Sequence, residues 1–254
     1  MRVATFNIRN GRAFDGRHSW PLRRWATLAA VRALDADVVG LQEAFGFQLH
    51  WLVRRLPGYE VHGDVGRDDG RRGERCPILV RRGGPTVGAC RTRWYGETPD
   101  VPGTRLDGAR FPRLATLCEL SGPADVGPFQ LANTHLDSAV VTNRRRSIDQ
   151  LLGWLDLASP TVVLGDLNDP PGGASVRRLE EAGLRPVLAA EAGGTAHKFT
   201  GRLDGPRIDH VLVSAHWEVV GADVVADRAG CLLPSDHWPV RAELRPKGGE
   251  RSEG

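Results

Sequence analysis

Short apolar runs of strand length recur along this chain, and most of them lead into a polar residue able to bind a divalent metal or a phosphate. Six such motifs occur in order: Thr5-Phe6-Asn7-Ile8-Arg9, Leu41-Gln42-Glu43, Asn133-Thr134-His135-Leu136-Asp137, Gly165-Asp166-Leu167-Asn168, Arg207-Ile208-Asp209-His210 and Ser235-Asp236-His237-Trp238-Pro239. Val38 to Leu41 precedes Glu43, and Thr161 to Leu164 precedes Asp166. Polar groups at strand ends converge on one rim of a sheet, where ligand sites are commonly built. One motif of this kind carries little weight, but six in sequence are hard to produce by chance.

The apolar pattern alternates strands and helices, then repeats. Strands are predicted at Val3 to Ile8, Val38 to Leu41, Tyr59 to His62, Pro77 to Arg81 and Leu114 to Leu120, with helices at Trp20 to Leu34 and Phe45 to Leu56. The second half echoes this. Strands are predicted at Phe129 to Thr134, Thr161 to Leu164, Ile208 to Ser214, Val219 to Val225 and Pro239 to Leu244, with helices at Asn143 to Leu157 and Ser175 to Ala182. Periodicity alone supports α/β or α+β, and two similar halves suggest two sheets packed face to face with helices outside. A chain of 254 residues can hold this as one domain, expected over 1–244, with 245–254 a disordered polar tail. Segments 62–76 and 94–113 read as loops at the rim of a site, although Gly66 to Gly73 alone reads as a solvated turn.

A net charge of +3 is nearly balanced and does not demand nucleic acid. Only Lys198 and Lys247 are lysines, so the positive charge is almost all arginine, scattered through every segment. Cys76, Cys90, Cys118 and Cys231 form no Cys-x-x-Cys pair and read as reduced, small apolar residues of a cytoplasmic protein. The first predicted strand begins at Val3, which leaves no room for a signal peptide in this sequence. No apolar run approaches the ~20 residues of a membrane span.

The motif residues suit phosphate-ester hydrolysis. That reaction needs a cation to offset charge, an oriented water, and donors on the phosphoryl oxygens. Glu43 is the best metal ligand by position, although a carboxylate there also suits a helix N-terminus. Asp166 and Asn168 lie two apart and point the same way in an extended segment. The same run is good turn chemistry. Asp236-His237 offers a metal-side carboxylate and a phosphate donor, and Asp209 is placed to fix the His237 tautomer. His135 adds a second imidazole. The segment Gly108-Ala109-Arg110-Phe111-Pro112-Arg113 leads from a long loop into a strand, so Arg113, and less strongly Arg110, could fork onto phosphate oxygens.

With these residues in place, the chain resembles the endonuclease/exonuclease/phosphatase superfamily. That group includes pancreatic deoxyribonuclease, abasic-site endonucleases, inositol polyphosphate 5-phosphatases, bacterial sphingomyelinases and the carbon-catabolite-repressor deadenylases. It is most similar to bacterial proteins resembling those deadenylases, through His18-Ser19-Trp20, Gly66-Arg67-Asp68-Asp69-Gly70, Gly73 to Ile78, Gly96-Glu97-Thr98-Pro99 with Pro102-Gly103, and Phe111 to Thr116. The resemblance implies a four-layer αββα sandwich, an α+β fold, with a Mg²⁺ or Mn²⁺ site. It implies that Glu43 binds metal with Asp236 beside it, that Asn7 and Asn168 contact phosphate or support the metal, and that Asp166 activates water. His237, oriented by Asp209, grips the phosphate, and His135 stabilises the transition state or aids the leaving group. Glu74, with Arg110 and Arg113, falls on the substrate side. Two departures stand out. Arg9 occupies a position where abasic-site enzymes carry Asp, and Arg75 follows Glu74 where the subgroup often has Tyr.

The expected function is hydrolysis of a small phosphomonoester or phosphodiester, or a nucleotide, by a monomer that binds no membrane. A nuclease acting on RNA or DNA is the first alternative, distinguishable by strong salt dependence. A non-catalytic binding protein on the same scaffold is the second, but it would have lost a metal or water-activating residue, and none is missing.

Overall fold

The computed structural model describes residues 1–227 and 232–248. The first half runs β1 (Arg2–Asn7), α1 (Trp20–Ala33), β2 (Val38–Gln42), β3 (Ala44–Phe45), α2 (Gly46–Val53), β4 (Tyr59–His62), β5 (Glu74–Arg75), β6 (Ile78–Arg81) and β7 (Thr86–Trp94). The second runs β8 (Leu114–Ser121), β9 (Pro128–His135), α3 (Val141–Leu152), β10 (Thr161–Asp166), α4 (Ala174–Glu181), β11 (Arg185–Pro186), β12 (Asp209–Val213), β13 (Trp217–Val224) and β14 (Val240–Pro246). Two six-stranded sheets result, ordered β13-β14-β1-β2-β6-β4 and β11-β12-β10-β9-β8-β7. Each has one parallel pair at its centre, β1 with β2 and β9 with β10, flanked by antiparallel strands. The carboxyl ends of each parallel pair therefore share a rim with the amino end of an antiparallel neighbour, β14 in one sheet and β12 in the other.

Three apolar layers separate the elements. One lies between the first sheet and α1 and α2, where Ala4, Phe6, Val39 and Leu41 meet Leu28, Val31, Leu49 and Leu52. One lies between the second sheet and α3 and α4, where Ala132, Val163 and Leu212 meet Ile148, Leu151, Val176 and Leu179. The third joins the two sheets, with Val3, Val38 and Val240 against Leu131, Val162, Leu164 and Val211. This is the expected four-layer αββα sandwich.

The two-residue period of a strand sets what lies between the sheets at each height. Val3, Thr5 and Asn7 share a face of β1, as do Val162, Leu164 and Asp166 on β10, and Leu131, Asn133 and His135 on β9. The inter-sheet layer is apolar at its base, amide-lined in the middle and ionisable at the rim. In the middle layer Gln42 Nε2 donates to Thr5 Oγ1 at 2.9 Å and to Asn133 Oδ1 at 2.6 Å. Asn133 Nδ2 donates to the carbonyls of Leu41 and Pro77 at 2.9 and 2.8 Å. Gly40 makes room for this amide, because a Cβ there would lie 2.7 Å from Asn133 Cγ.

Several expectations need correction. A long strand, β7, was not expected at all. It is an edge strand, mostly open to solvent, so it carries no apolar run to reveal it. Helix α3 stops at Leu152 rather than Leu157, and α2 at Val53 rather than Leu56. The last strand continues through Pro246, so Arg245 and Pro246, expected in a disordered tail, are strand; the expected tail residues 249–254 lie outside those described. The reduced-cysteine reading fails at one pair. Cys90 and Cys118 face each other across β7 and β8 and form a disulfide, which a separation of 28 residues hid in the sequence. Cys76 is free and buried, and Cys231 lies outside the described residues.

Asn133→Ala removes a buried bridge, so that the Leu41 and Pro77 carbonyls and the Gln42 amide each lose a partner. The expected loss is about 2–4 kcal/mol of unfolding free energy. Urea denaturation of the metal-free protein checks it, and a loss below about 1 kcal/mol would remove the amide layer from the account.

Candidate active site

At the shared rim the chain leaves three strands through strained turns. Arg9, Glu43 and Asn168 follow β1, β2 and β10 with φ of 56°, 58° and 50°. Non-glycine residues rarely adopt this conformation, which costs roughly 1–3 kcal/mol each and persists where surrounding contacts over-determine it. Gly165 lets β10 lie close to β9, since a Cβ there would sit 2.3 Å from the Thr134 carbonyl oxygen. This register sets Asp166 directly beside His135 on one side and Asp209 on the other.

One amide ties the two sheets together here. Asn7 Nδ2 donates to Asp166 Oδ2 at 2.8 Å across the sheets and to Glu43 Oε1 at 3.1 Å within its own. Its Oδ1 accepts from the Arg9 backbone at 2.9 Å, so the amide orientation is fixed. Glu43 Oε2 accepts from the Asn10 backbone at 2.7 Å, and Asp166 Oδ1 from the Asn168 backbone at 2.9 Å. Asn168 Nδ2 donates to the Leu136 carbonyl at 3.1 Å. His237 Nδ1 lies 2.7 Å from Asp209 Oδ2 and 4.0 Å from Asp166 Oδ2. His135 Nε2 approaches the same Asp166 oxygen at 3.6 Å. Asp236 Oδ2 lies 3.5 Å from Arg9 Nη1, and Ser235 Oγ anchors that loop on the Asn7 carbonyl at 2.6 Å.

Burial and then the Asp209 charge push the Asp166 carboxyl up to about 7. Burial, then the charge of Glu43, also raises Glu74. Burial raises Asp236, with Glu43 adding to it against His237 and Arg9. The two imidazoles diverge. Burial, then the Arg113 and Arg67 guanidiniums, holds His135 well below the usual histidine range. Burial would depress His237 too, but the charge and hydrogen bond of Asp209 outweigh it and hold this imidazole well above that range.

These groups line a pocket of about 360 Å³ together with Arg67, Glu74, Arg110, Phe111, Arg113 and Asp137. Arg113 Nη1 lies 2.9 Å from His135 Nδ1 and 3.8 Å from Glu74 Oε2. Glu74 also pairs with Arg67 and accepts from Asn10 Nδ2 at 3.2 Å. Arg67, from the segment read as a solvated turn, is only 7% exposed, and its guanidinium stacks 4.4 Å from the Phe111 ring centre. Arg110 is exposed and lies 5.2 Å over the same ring. All the sequence-predicted site residues except Asn7 and Asp209 line the pocket, and those two sit directly behind it. Sequence reasoning missed Arg9, Asn10, Arg67 and Phe111. Arg67 and Phe111 stood inside segments already marked as rim loops, and Arg9 inside the first motif.

The donor set fits a hard divalent cation. Among the described residues, ligand atoms of Glu43, His135 and Asp166 lie within 4.8 Å of one another, as do those of Asp166, Asp209 and His237. Burial is the first cause that raises all three carboxyls, and a cation bound at this rim would favour their charged forms. Asp236, expected as a ligand, is not in either group.

These shifts fix a pH dependence. Asp166 and His237 both have folded-state pKa values above their unfolded ones, so their contribution to stability is full at low pH. It is lost as pH rises, through about 7 for Asp166 and higher for His237. His135 has the opposite sign, but its contribution is complete above the ordinary histidine value. The metal-free protein should therefore melt at a lower temperature at pH 8 than at pH 6.5, and Asp209→Asn should flatten the difference. Calorimetry in chelator checks this; a melting temperature that climbs over the interval contradicts the assignment.

Sequence and structure comparisons agree with this picture. A model of the Endonuclease/Exonuclease/phosphatase family matches residues 4–237. No curated protein matches the sequence significantly. Among solved structures, a Bacteroides thetaiotaomicron protein of that family is 28% identical with a TM-score of 0.88, covering 98% of each chain. A Bacteroides vulgatus member is 30% identical with a TM-score of 0.87, covering 97% of this chain and 98% of the other. A Bacteroides thetaiotaomicron mannosyl-6-phosphatase is 29% identical with a TM-score of 0.85, covering 96% of this chain and 99% of that one. The motifs, the sandwich and the shared rim thus have one origin: the chain belongs to the endonuclease/exonuclease/phosphatase family.

Proposed function

We propose that this protein is a metal-dependent phosphoesterase that hydrolyses a small phosphorylated molecule or a nucleotide. The observation that carries the reading is the convergence of Asn7, Glu43, Asp166, Asn168 and the Asp209–His237 pair on one pocket. A volume of about 360 Å³ suits a ligand of sugar-phosphate size. The likeness to a protein named a mannosyl-6-phosphatase supports a phosphomonoester.

Glu43, with Asn7 and Asp236 beside it, would hold Mg²⁺ or Mn²⁺, which when bound offsets the charge of the phosphoryl oxygens. Asp166 orients the attacking water and takes its proton, and the Asn168 backbone and Asn7 amide fix the carboxylate for that task. His237, kept cationic by Asp209, donates to a phosphoryl oxygen. His135 and Asn168 supply further donors as charge builds on phosphorus. Arg110 and Arg113 stand on the side of the leaving group, with Glu74 behind them. Cleavage of nucleic acid is the second reading, favoured by the four arginines, Arg9, Arg67, Arg110 and Arg113, that line the pocket.

A turnover screen with a sugar phosphate, a phosphodiester, nucleotides and oligonucleotides tests both readings. Activity is expected on a small substrate, lost in chelator and restored by Mg²⁺ or Mn²⁺. Glu43→Gln should lower kcat on the order of 10²–10³-fold, the scale of losing one charge-stabilising group, with little change in the metal-free melt. Asp166→Asn should lower kcat more than it changes KM. Full activity in excess chelator refutes metal dependence, and cleavage of oligonucleotides alone favours the nuclease.

A further inference from the structure

Two histidines face Asp166, and partners of opposite kind hold them. His237 Nδ1 meets a carboxylate oxygen of Asp209 at 2.7 Å. His135 Nδ1 meets Arg113 Nη1 at 2.9 Å. A guanidinium offers five N–H donors and no acceptor. His135 Nδ1 can therefore only accept, and the ring proton of a neutral imidazole must sit on Nε2. That nitrogen is the one turned to Asp166, 3.6 Å from Oδ2.

We infer that Arg113 is a positioning residue, whose donation to Nδ1 fixes His135 as a neutral imidazole with its Nε2–H turned to the reacting phosphoryl group. A metal ligand needs a lone pair on Nε2, and this wiring removes it. Glu43, His135 and Asp166 are close enough to form a three-ligand site, yet His135 is excluded from it. The role differs from a direct fork on phosphate, because the guanidinium acts through the imidazole. Only the identity of the group that Nε2–H meets rests on the phosphoesterase reading.

The surroundings hold Arg113 to this task. Its backbone carbonyl accepts from Tyr95 at 2.9 Å as the chain enters β8. Its side chain is 11% exposed, and Glu74 Oε2 stands 3.8 Å from Nη1. Arg67 pairs with the same carboxylate and Asn10 bonds its other oxygen, so Glu74 cannot swing freely. Glu74 Oε2 is 4.0 Å from His135 Nδ1, beyond hydrogen-bond range. It is the acceptor that would draw a proton onto Nδ1 if the guanidinium were absent.

Long-range proton–nitrogen correlation spectra of protein labelled with ¹⁵N-histidine test this, with His135 assigned through His135→Gln. Near neutral pH the wild type should show an unprotonated Nδ1 and a protonated Nε2, unchanged by Mg²⁺. Arg113→Ala should move the proton to Nδ1, and Arg113→Lys, which still donates, should keep the wild-type pattern. On the best substrate, Arg113→Ala should lower kcat at least tenfold with KM within about twofold, and Arg113→Lys should recover most of the loss. The inference is overturned by a wild-type Nδ1 that carries a proton, by loss of the Nε2 proton on adding Mg²⁺, or by an unchanged pattern in Arg113→Ala. The spectra do not depend on turnover, so the expected tautomers in a protein inactive on every phosphoester would support the wiring and refute the phosphoesterase reading instead.

Discussion

The Asn7 side-chain amide is the hinge of this site. It reaches Glu43 on its own sheet and Asp166 on the other, and its oxygen is locked by the Arg9 backbone. The sheets also meet through the Gln42–Asn133 amides and the apolar layer below, and through the His237–Asp209 pair beside it. Among the described residues, however, only the Asn7 amide holds Glu43 and Asp166 on one donor and so sets the bearing of that carboxylate. Bridging works because the sheets share an architecture. Each brings a parallel pair and an antiparallel neighbour to the same edge, so residues at strand ends in both halves arrive at one height.

The same arrangement gathers charge that a protein interior resists. Asp166 and Asp209 are buried beside each other, and Asp209 Oδ1 has no hydrogen-bond partner among the described residues. Leaving such groups poorly solvated costs stability, as does the left-handed backbone at Arg9, Glu43 and Asn168. The amide layer of Gln42 and Asn133 and the apolar base of the sandwich offset that cost from beneath. A site with unspent negative charge suits a cation, and one cationic with one neutral imidazole supplies donors without cancelling it.

Much of this was legible in the sequence. The strands ending at Asn7, Asp166 and His135 announced themselves because a buried central strand must be a continuous apolar run, and a polar residue closing such a run stands out. Glu43 followed from the same logic, whereas Asp209, at the amino end of β12, was marked by its motif and its expected partnership with His237. The edge strand β7 was hidden because solvent replaces the apolar signal, and the Cys90–Cys118 bond because strand pairing, not spacing, brings those residues together. Arg67 was misread for a different reason. A Gly- and Asp-rich run reads as solvated unless one knows that Glu74 and Phe111 will fold over it. The pairing of Arg113 with His135 joins a loop to the end of β9, and no local pattern encodes it.

The central claim is that the bridge between the sheets exists to aim Asp166. It is tested most directly by a double-mutant cycle on kcat/KM with Asn7→Ala, Asp166→Asn and the pair. If the amide acts through that carboxylate, the double variant should fall within about twofold of Asp166→Asn alone, since a group already lost cannot be misaimed further. Two losses that multiply in full would show that Asn7 works independently of Asp166, and would contradict the account.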